Sequence, residues 1–181
     1  ISINGLDTLE FNKIDTEGKQ WEVSGTVLDG QNANASFSIE VLDLAGNKGS
    51  PVTATDDNTQ VVLDNTPPTL TSVVLASNNP ETTQAKEGDK LSLSLISDEP
   101  IELSQVTLVG NNNPDINDIS DHGTEWEVSI LVDQNTRENQ ATFSVAFNDK
   151  AGNKGTTQTS TKDRSSVNID TTPPIIERVR L

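Results

Sequence analysis

The chain has no cysteine, methionine or tyrosine, and only two tryptophans and four phenylalanines among its 181 residues. Without cysteine, neither a disulfide nor a thiolate metal site can form. With so few aromatic side chains, any hydrophobic core is built mainly from Val, Ile, Leu and Ala. This composition favours several thin cores over one thick core.

Long apolar runs are missing as well. No stretch approaches the roughly 18 apolar residues that a membrane span needs. Ile1 does not open the basic-then-apolar pattern of a signal peptide. We therefore expect no membrane insertion, and we expect the chain to be an excerpt from the interior of a longer protein.

Basic side chains are scarce, because 12 Lys and Arg stand against 28 Asp and Glu, which gives a formal charge of -16. Such a surface repels the phosphates of nucleic acids and anionic lipids, so no nucleic-acid partner is expected. It attracts divalent cations, and a secreted protein without disulfides has a use for bound metal. A negative surface also serves solubility, so the spacing of the acids must decide between the two interpretations.

The chain repeats itself at a spacing of 105 to 106 residues, with four blocks in the same order. The matched blocks are residues 21–24 with 126–129, 35–38 with 141–144, 43–49 with 149–155, and 64–68 with 170–174. This period is longer than the roughly 20–50 residues of solenoid units. It fits a whole domain that buries its own core.

Two Thr-Pro-Pro blocks separate the repeats. Paired prolines fix φ and remove two backbone donors, which makes an extended and stiff joint. The joints predict a partial repeat at residues 1–66, a complete repeat at 67–172 and the start of a third repeat at 173–181. The partial repeat lacks counterparts of residues 67–105, so we expect it not to be stable alone.

Polar and apolar residues alternate with the period of a β-strand in several segments. Residues 91–95 alternate leucine with serine, and residues 126–130 and 141–147 alternate in the same way. The Asn- and Asp-rich residues 111–123 predict a loop, and the Ser/Thr-rich residues 156–169 predict a long last strand. No segment has a convincing helical period.

About seven short strands in about 105 residues predict an all-β fold of tandem immunoglobulin-like Greek-key β-sandwich repeats. Trp21 and Trp126 lie on alternating strands, so both are expected in cores. The inter-sheet disulfide of antibody domains is absent.

The order of the motifs carries a family resemblance. An alternating strand, Asp-x-Ala-Gly-Asn, a Ser/Thr-rich strand and Asp-x-Thr-Pro-Pro follow one another twice. This order resembles the bacterial immunoglobulin-like repeats of giant, type I-secreted, non-fimbrial adhesins. The resemblance implies a secreted stalk on the bacterial cell surface that serves cell adhesion and virulence. Its partners would be neighbouring repeats in the same chain and, through other regions of the protein, a host-cell or surface receptor or glycan.

Four carboxylates are expected to converge at the joint between repeats: Asp64, Asp98, Glu99 and Asp149. In an immunoglobulin-type sandwich, the loop after the second strand and the loop before the last strand lie at the end where the chain enters. Asp98 and Glu99 occupy the first of these loops, Asp149 the second, and Asp64 closes the preceding repeat. Ca²⁺ takes six to eight oxygen ligands, so the sequence predicts a Ca²⁺ site here. The alternative is a group of solvated turn acids and Asx turns.

The amides of Asn65 and Asn153 are predicted to complete this site. Asp43 and Asp170 occupy the equivalent positions of the neighbouring repeats, and each predicts half of a further Ca²⁺ site in the full protein. A second acidic group, formed by Asp118, Asp121 and Asp133 with partial matches at Asp15 and Asp29, is better interpreted as a solvated loop.

No pattern of catalytic residues recurs, so the chain is not expected to be an enzyme. His122 is the only histidine and lies in a polar loop. Three functions stay open: a stalk stiffened by calcium, a carbohydrate- or receptor-binding module, and an immunoglobulin-like spacer of a secreted polysaccharide-acting enzyme. The stalk is favoured, because neither an aromatic platform nor a concave polar site is evident.

Overall fold

The computed structural model describes residues 1–180. The chain divides into two compact units, of which unit 1 is Ile1–Thr66 and unit 2 begins at Pro67. The described residues form 15 β-strands and no helix. The prediction of an all-β chain is therefore confirmed. Because they contain no helix, the described residues include none that is long and apolar enough to cross a membrane.

Unit 1 contains six strands that pair in twos. They are β1 (Ser2–Ile3), β2 (Leu6–Lys13), β3 (Trp21–Val27), β4 (Ala33–Asn34), β5 (Phe37–Ser38) and β6 (Val62–Leu63). The antiparallel pairs are β1 with β5, β2 with β3 and β4 with β6. Leu63 is the only buried apolar residue among those described in unit 1. The expectation that Trp21 is a core residue is wrong, since it is 55% exposed on a strand with one neighbour.

Unit 2 contains nine strands. They are β7 (Leu70–Ser77), β8 (Gln84–Ala85), β9 (Lys90–Ser97), β10 (Ile101–Leu108), β11 (Asp115–Asp118), β12 (Glu125–Leu131), β13 (Asn139–Gln140), β14 (Phe143–Asp149) and β15 (Asn168–Ile169). Four of them form an antiparallel sheet in the order β11-β12-β9-β7, and β10 pairs with β14. A small third sheet has the order β13-β15-β8, with β15 and β8 parallel.

The core of unit 2 lies between the apolar faces of these sheets. Leu91, Leu93 and Leu95 of β9 are buried, as their alternation with serine predicts. Phe143 and Phe147 of β14 belong to the same buried cluster, and Trp126 packs against it while partly exposed. A single cluster that takes side chains from the four-stranded sheet and from the β10–β14 pair is consistent with a β-sandwich.

Two sequence-based assignments within unit 2 are wrong. Residues 156–169 do not form a long strand, because only Asn168–Ile169 pair as a ladder, and Gln158 forms an isolated bridge. Serine and threonine permit an extended backbone but do not supply a neighbouring strand. Conversely, the predicted loop at 111–123 contains β11, which forms because Asp115–Asp118 pairs with β12.

Candidate functional site

The recurring Asp-x-Ala-Gly-Asn block forms a turn that its own first side chain holds in place. The Asp149 carboxylate accepts hydrogen bonds from Asn153, at 2.9 Å from the backbone N–H and at 2.7 Å from Nδ2. In return the backbone N–H of Asp149 donates to the Asn153 carbonyl at 3.1 Å. Gly152 has φ of 96°, a left-handed conformation that favours glycine. A Cβ there would meet nothing within 4 Å, so the positive φ, and not a lack of space, is what favours glycine at this position.

The first copy of the block folds in the same way in unit 1. Asp43 accepts the backbone N–H of Asn47 at 2.8 Å and its Nδ2 at 2.7 Å. It also accepts the N–H of Ala45 at 2.9 Å. Gly46, like its counterpart, has a positive φ, of 89°. The recurrence of Asp, Gly and Asn therefore has a local explanation in hydrogen bonding and backbone geometry.

The second glycine of the block in unit 2 is required for a different reason. Gly155 donates its N–H to the Phe147 carbonyl at 3.0 Å. A Cβ on Gly155 would lie 2.1 Å from Cε2 of the Phe147 ring. Here glycine lets the chain lie directly on a core aromatic side chain.

Asp149 is a buried carboxylate, only 2% exposed. Desolvation at this position raises the pKa of Asp149, but hydrogen bonds from Asn153, Gly152 and Ala151 lower it more. The net result is a pKa below the ordinary value for Asp. The carboxylate is therefore held in its charged form near neutral pH.

Glu99 lies close to this buried charge. Asp149 pairs in register with Ile101, the first residue of β10, and Glu99 comes two residues earlier in the chain. Carboxylate oxygens of Glu99 and Asp149 lie within 4.8 Å of each other. Two of the predicted ligands are thus neighbours at one end of unit 2, where two carboxylates would repel each other unless a cation or a proton intervened.

Asp98 has a structural partner of its own. Its carboxylate accepts the backbone N–H of Thr69 at 2.8 Å and the Thr69 Oγ1 hydroxyl at 2.7 Å. Burial raises the pKa of Asp98, but the hydrogen bonds, chiefly those from Thr69, lower it more, so the pKa lies below its usual range. Asp98 therefore fastens the segment that leads into β7, a role that the sequence analysis did not assign to it.

The predicted ligands at the ends of the repeats cap short turns. Asp64 accepts the backbone N–H of Thr66 at 3.0 Å, and Asp170 accepts that of Thr172 at the same distance. Asn65 is tied within unit 1, where its Nδ2 donates to the Leu28 carbonyl at 2.7 Å. These contacts explain the Asp-x-Thr spacing locally. A metal-binding role for these residues stays a prediction.

Glu138 is a structural residue that sequence reasoning missed. Its Oε1 accepts the N–H of Thr171 at 3.0 Å, the Thr171 hydroxyl at 2.9 Å and the Thr172 hydroxyl at 2.7 Å. Hydrogen bonds from Thr172 and Thr171 lower the pKa of Glu138. In unit 1 the matching position is Asn32, whose Oδ1 accepts the N–H of Asn65 at 2.8 Å. A search for identical residues overlooks this pair, because the side chains differ while the bond recurs.

The second acidic group is organised as a loop. The Asp118 carboxylate accepts the N–H of Ser120 at 3.0 Å and that of Gly123 at 2.7 Å. Trp126 Nε1 donates to the Gly123 carbonyl at 3.1 Å, as Trp21 Nε1 does to the Gly18 carbonyl at 3.0 Å.

Comparison with known proteins adds no assignment, because no family model, curated protein or solved structure matches the chain.

Proposed function

We propose that the chain is a stretch of the stalk of a large bacterial surface adhesin, built from tandem immunoglobulin-like repeats that Ca²⁺ stiffens outside the cell. The repeat, the acidic composition and the absence of cysteine support this function at the level of the sequence. It acts mechanically, by projecting a binding region from the surface, and involves no catalysis by this chain.

The connectivity of unit 2 supports the immunoglobulin-like part of the proposal. Immunoglobulin constant-type domains place strands A, B, E and D in one sheet and C, F and G in the other. In unit 2 the first, second, fifth and fourth of the longer strands form the sheet β7-β9-β12-β11, and the third pairs with the sixth as β10-β14. Bridges from Gln158 and Lys154 to β14 occupy the place of strand G.

The observation that carries the calcium part is the pair formed by Glu99 and Asp149, whose carboxylate oxygens lie within 4.8 Å. Both residues offer the hard oxygen ligands that Ca²⁺ prefers, and the lowered pKa of Asp149 keeps its carboxylate ionised. Asn153 holds that carboxylate in place. Asp64 stays a predicted third ligand, because only Asn65 and Thr66 separate it from the start of unit 2.

Calcium titration followed by NMR of the ¹⁵N-labelled chain tests the proposal. Amide signals at Asp98, at Glu99 and at residues 149–153 should shift with a Kd of about 0.1–1 mM, the range of extracellular calcium modules. Glu99→Gln should weaken binding by about tenfold or more. Glu102→Gln removes an exposed carboxylate from β10 and should leave the Kd unchanged. The absence of saturable shifts, or equal affinity in Glu99→Gln, would refute calcium binding here.

A further inference from the structure

The last segment of unit 2 leaves the edge of β14 for part of its length. The N–H of Val145 donates to the Gln158 carbonyl at 2.9 Å, and the N–H of Ala141 donates to the Val167 carbonyl at 2.8 Å. Residues 159–166, which we call the excursion, lie between these two contacts in the chain. Among the described residues, the excursion makes no backbone hydrogen bond with β14. A gap therefore separates the excursion from the start of β14.

The excursion is fastened to β7, a strand of the other sheet. The N–H of Lys162 donates to the Val73 carbonyl at 2.9 Å, and Oγ of Ser165 accepts the N–H of Leu75 at the same distance. Arg164 has a φ of 67°, a left-handed conformation that residues with a side chain rarely adopt. The result is a cavity of about 450 Å³ between the excursion and the start of β14. This volume lies within the roughly 300–1,000 Å³ of small-molecule sites.

The backbone of Phe143 points into this cavity. Alternate residues of a strand direct their N–H and C=O groups to opposite edges. Ala141 and Val145 bond on the side of the last segment, whereas the Thr142 carbonyl accepts the N–H of Val109 on the other side, at 2.7 Å. Phe143 lies midway between Ala141 and Val145, so its N–H and C=O face the gap. Neither group has a partner within residues 1–180.

Polar side chains without internal partners line the same cavity. The hydroxyls of Thr142, Thr159 and Ser166 make no hydrogen bond to any other described residue. Arg164 also lines the cavity and belongs to none of the ion pairs in the described part of the chain. The buried side chain of Leu75 supplies an apolar part of the wall. The cavity thus offers both donors and acceptors beside an apolar contact.

The same arrangement recurs in unit 1 at an offset of 106 residues. Phe37 occupies the place of Phe143, and every residue that lines its cavity of about 240 Å³ matches one that lines the cavity of unit 2. Asn58, the counterpart of Arg164, also has a positive φ, of 57°. The pairs that bound the gap recur with N-to-O distances of 2.8 and 2.9 Å: Ala35 with Val61 and Ile39 with Val52. The cavity is therefore a feature of the repeat.

The groups that face the cavity restrict its ligand to a neutral polar molecule. An anion would meet the Phe143 carbonyl, and a cation would meet the Arg164 guanidinium. An added peptide strand is too long, because Ala141 and Val145 lie only about 14 Å apart along the strand and both are already paired on this edge. A sugar suits the site, since each of its hydroxyls can donate to a carbonyl or accept from an N–H.

We propose that the cavity at Phe143 binds a neutral hexose. Two neighbouring hydroxyls of the ring pair with the N–H and the C=O of Phe143, and others pair with Thr142, Thr159 and Ser166. A C–H face of the ring packs on Leu75. Sugar binding is then a second function of the repeats, independent of Ca²⁺. The same chemistry occurs in a free hexose and at the end of a glycan.

NMR titration of the ¹⁵N-labelled 181-residue chain in EDTA tests the proposal. The probes are glucose, galactose and mannose, each as the free sugar and as the non-reducing residue of a disaccharide. At least one of them should shift the Phe143 amide saturably, with a Kd of about 1–10 mM for a ligand of about 12 non-hydrogen atoms. Binding of the disaccharide identifies a glycan end as the source, and binding of the free sugar alone identifies a soluble hexose.

Two matched variants separate this site from nonspecific effects of sugar. Thr159→Val keeps the side-chain volume, removes a hydroxyl from the cavity and should raise the Kd about fivefold. Thr156→Val removes a hydroxyl from the same segment outside the cavity and should leave the Kd unchanged. Neither threonine hydroxyl makes a hydrogen bond to another described residue, so both variants should fold.

Three results would overturn the proposal. One is the lack of a saturable shift of the Phe143 amide at sugar concentrations of about 100 mM, well above the expected Kd. Another is a Thr159→Val variant that binds as tightly as the natural chain. The third is a response to acetate, an anion without hydroxyls, that equals the response to the sugars.

Discussion

At the residue scale, the aspartate at the head of the repeated turn stabilises the fold before it binds any ligand. Asp149→Ala should lower the free energy of unfolding by about 2 kcal/mol, because it removes a buried carboxylate that accepts two partly buried hydrogen bonds from Asn153. Urea unfolding of the metal-free chain measures this. Asp43→Ala makes the same change in an exposed turn and should lower the free energy of unfolding much less, because water can accept the hydrogen bonds that the carboxylate accepted. Equal effects of the two substitutions would contradict a role for burial.

The lowered pKa of Asp149 predicts how stability depends on pH. A carboxyl group whose pKa is lower in the folded state contributes stability that is complete above its unfolded value of about 3.9. That contribution is lost as the pH falls through the lower folded pKa. Asp149→Asn should therefore destabilise the chain at pH 7, and the difference from the natural chain should shrink progressively below about pH 4. Chemical unfolding at a series of pH values checks this, and a difference that grows on acidification would contradict it.

The two glycines of the turn should respond differently to the same substitution. Gly155→Ala places a methyl group on the Phe147 ring and should cost about 1–3 kcal/mol by overpacking. Gly152→Ala meets open space and should cost about 1 kcal/mol through its positive φ alone. A double-mutant cycle with Phe147→Leu should relieve the first cost and leave the second. Additive effects for Gly155→Ala and Phe147→Leu would show that the ring is not the cause.

At the scale of strands, the alternation of polar and apolar residues correctly predicted the positions of strands that bury one face. The Leu-Ser alternation of residues 91–95 correctly predicted β9, and the segment around Trp126 predicted β12. The alternation did not predict strands that form because a neighbouring strand offers hydrogen-bonding partners. Asp115–Asp118 is polar and exposed, and it is a strand because β12 offers a ladder. Residues 156–169 are rich in serine and threonine, which suit an extended backbone, but no neighbouring strand pairs with them along their whole length.

The segment that follows β15 depends on one side chain from another part of unit 2. Glu138 accepts three hydrogen bonds from Thr171 and Thr172, so Glu138→Ala should release this segment. Hydrogen exchange should become faster at the Thr171 amide. Exchange should stay unchanged at the amide of Val145 in β14, which donates to the Gln158 carbonyl and does not contact Glu138 through this bond. Unchanged exchange at Thr171 would show that the segment is held by other contacts.

At the scale of the whole molecule, the repeat could be found from sequence, but the use of its polar residues could not. Glu99 and Asp149 were expected together, because loops at one end of such a sandwich converge. The hydrogen bonds of Asp98 to Thr69 and of Asn153 to Asp149 were not foreseen. A carboxylate that caps a turn and one that binds a metal come from the same residue types at the same spacing. Only the positions of their donors tell them apart.

The most direct test of the calcium-stiffened stalk combines small-angle X-ray scattering and calorimetry on the 181-residue chain. Measurements are made at about 2 mM Ca²⁺, above the expected Kd, and in EDTA. We predict a narrower distribution of long interatomic distances with Ca²⁺. We also predict a modest rise in melting temperature, because tenfold excess over Kd contributes about 1.4 kcal/mol. Glu99→Gln in Ca²⁺ should resemble the natural chain in EDTA. Identical scattering and melting in both conditions would contradict the account.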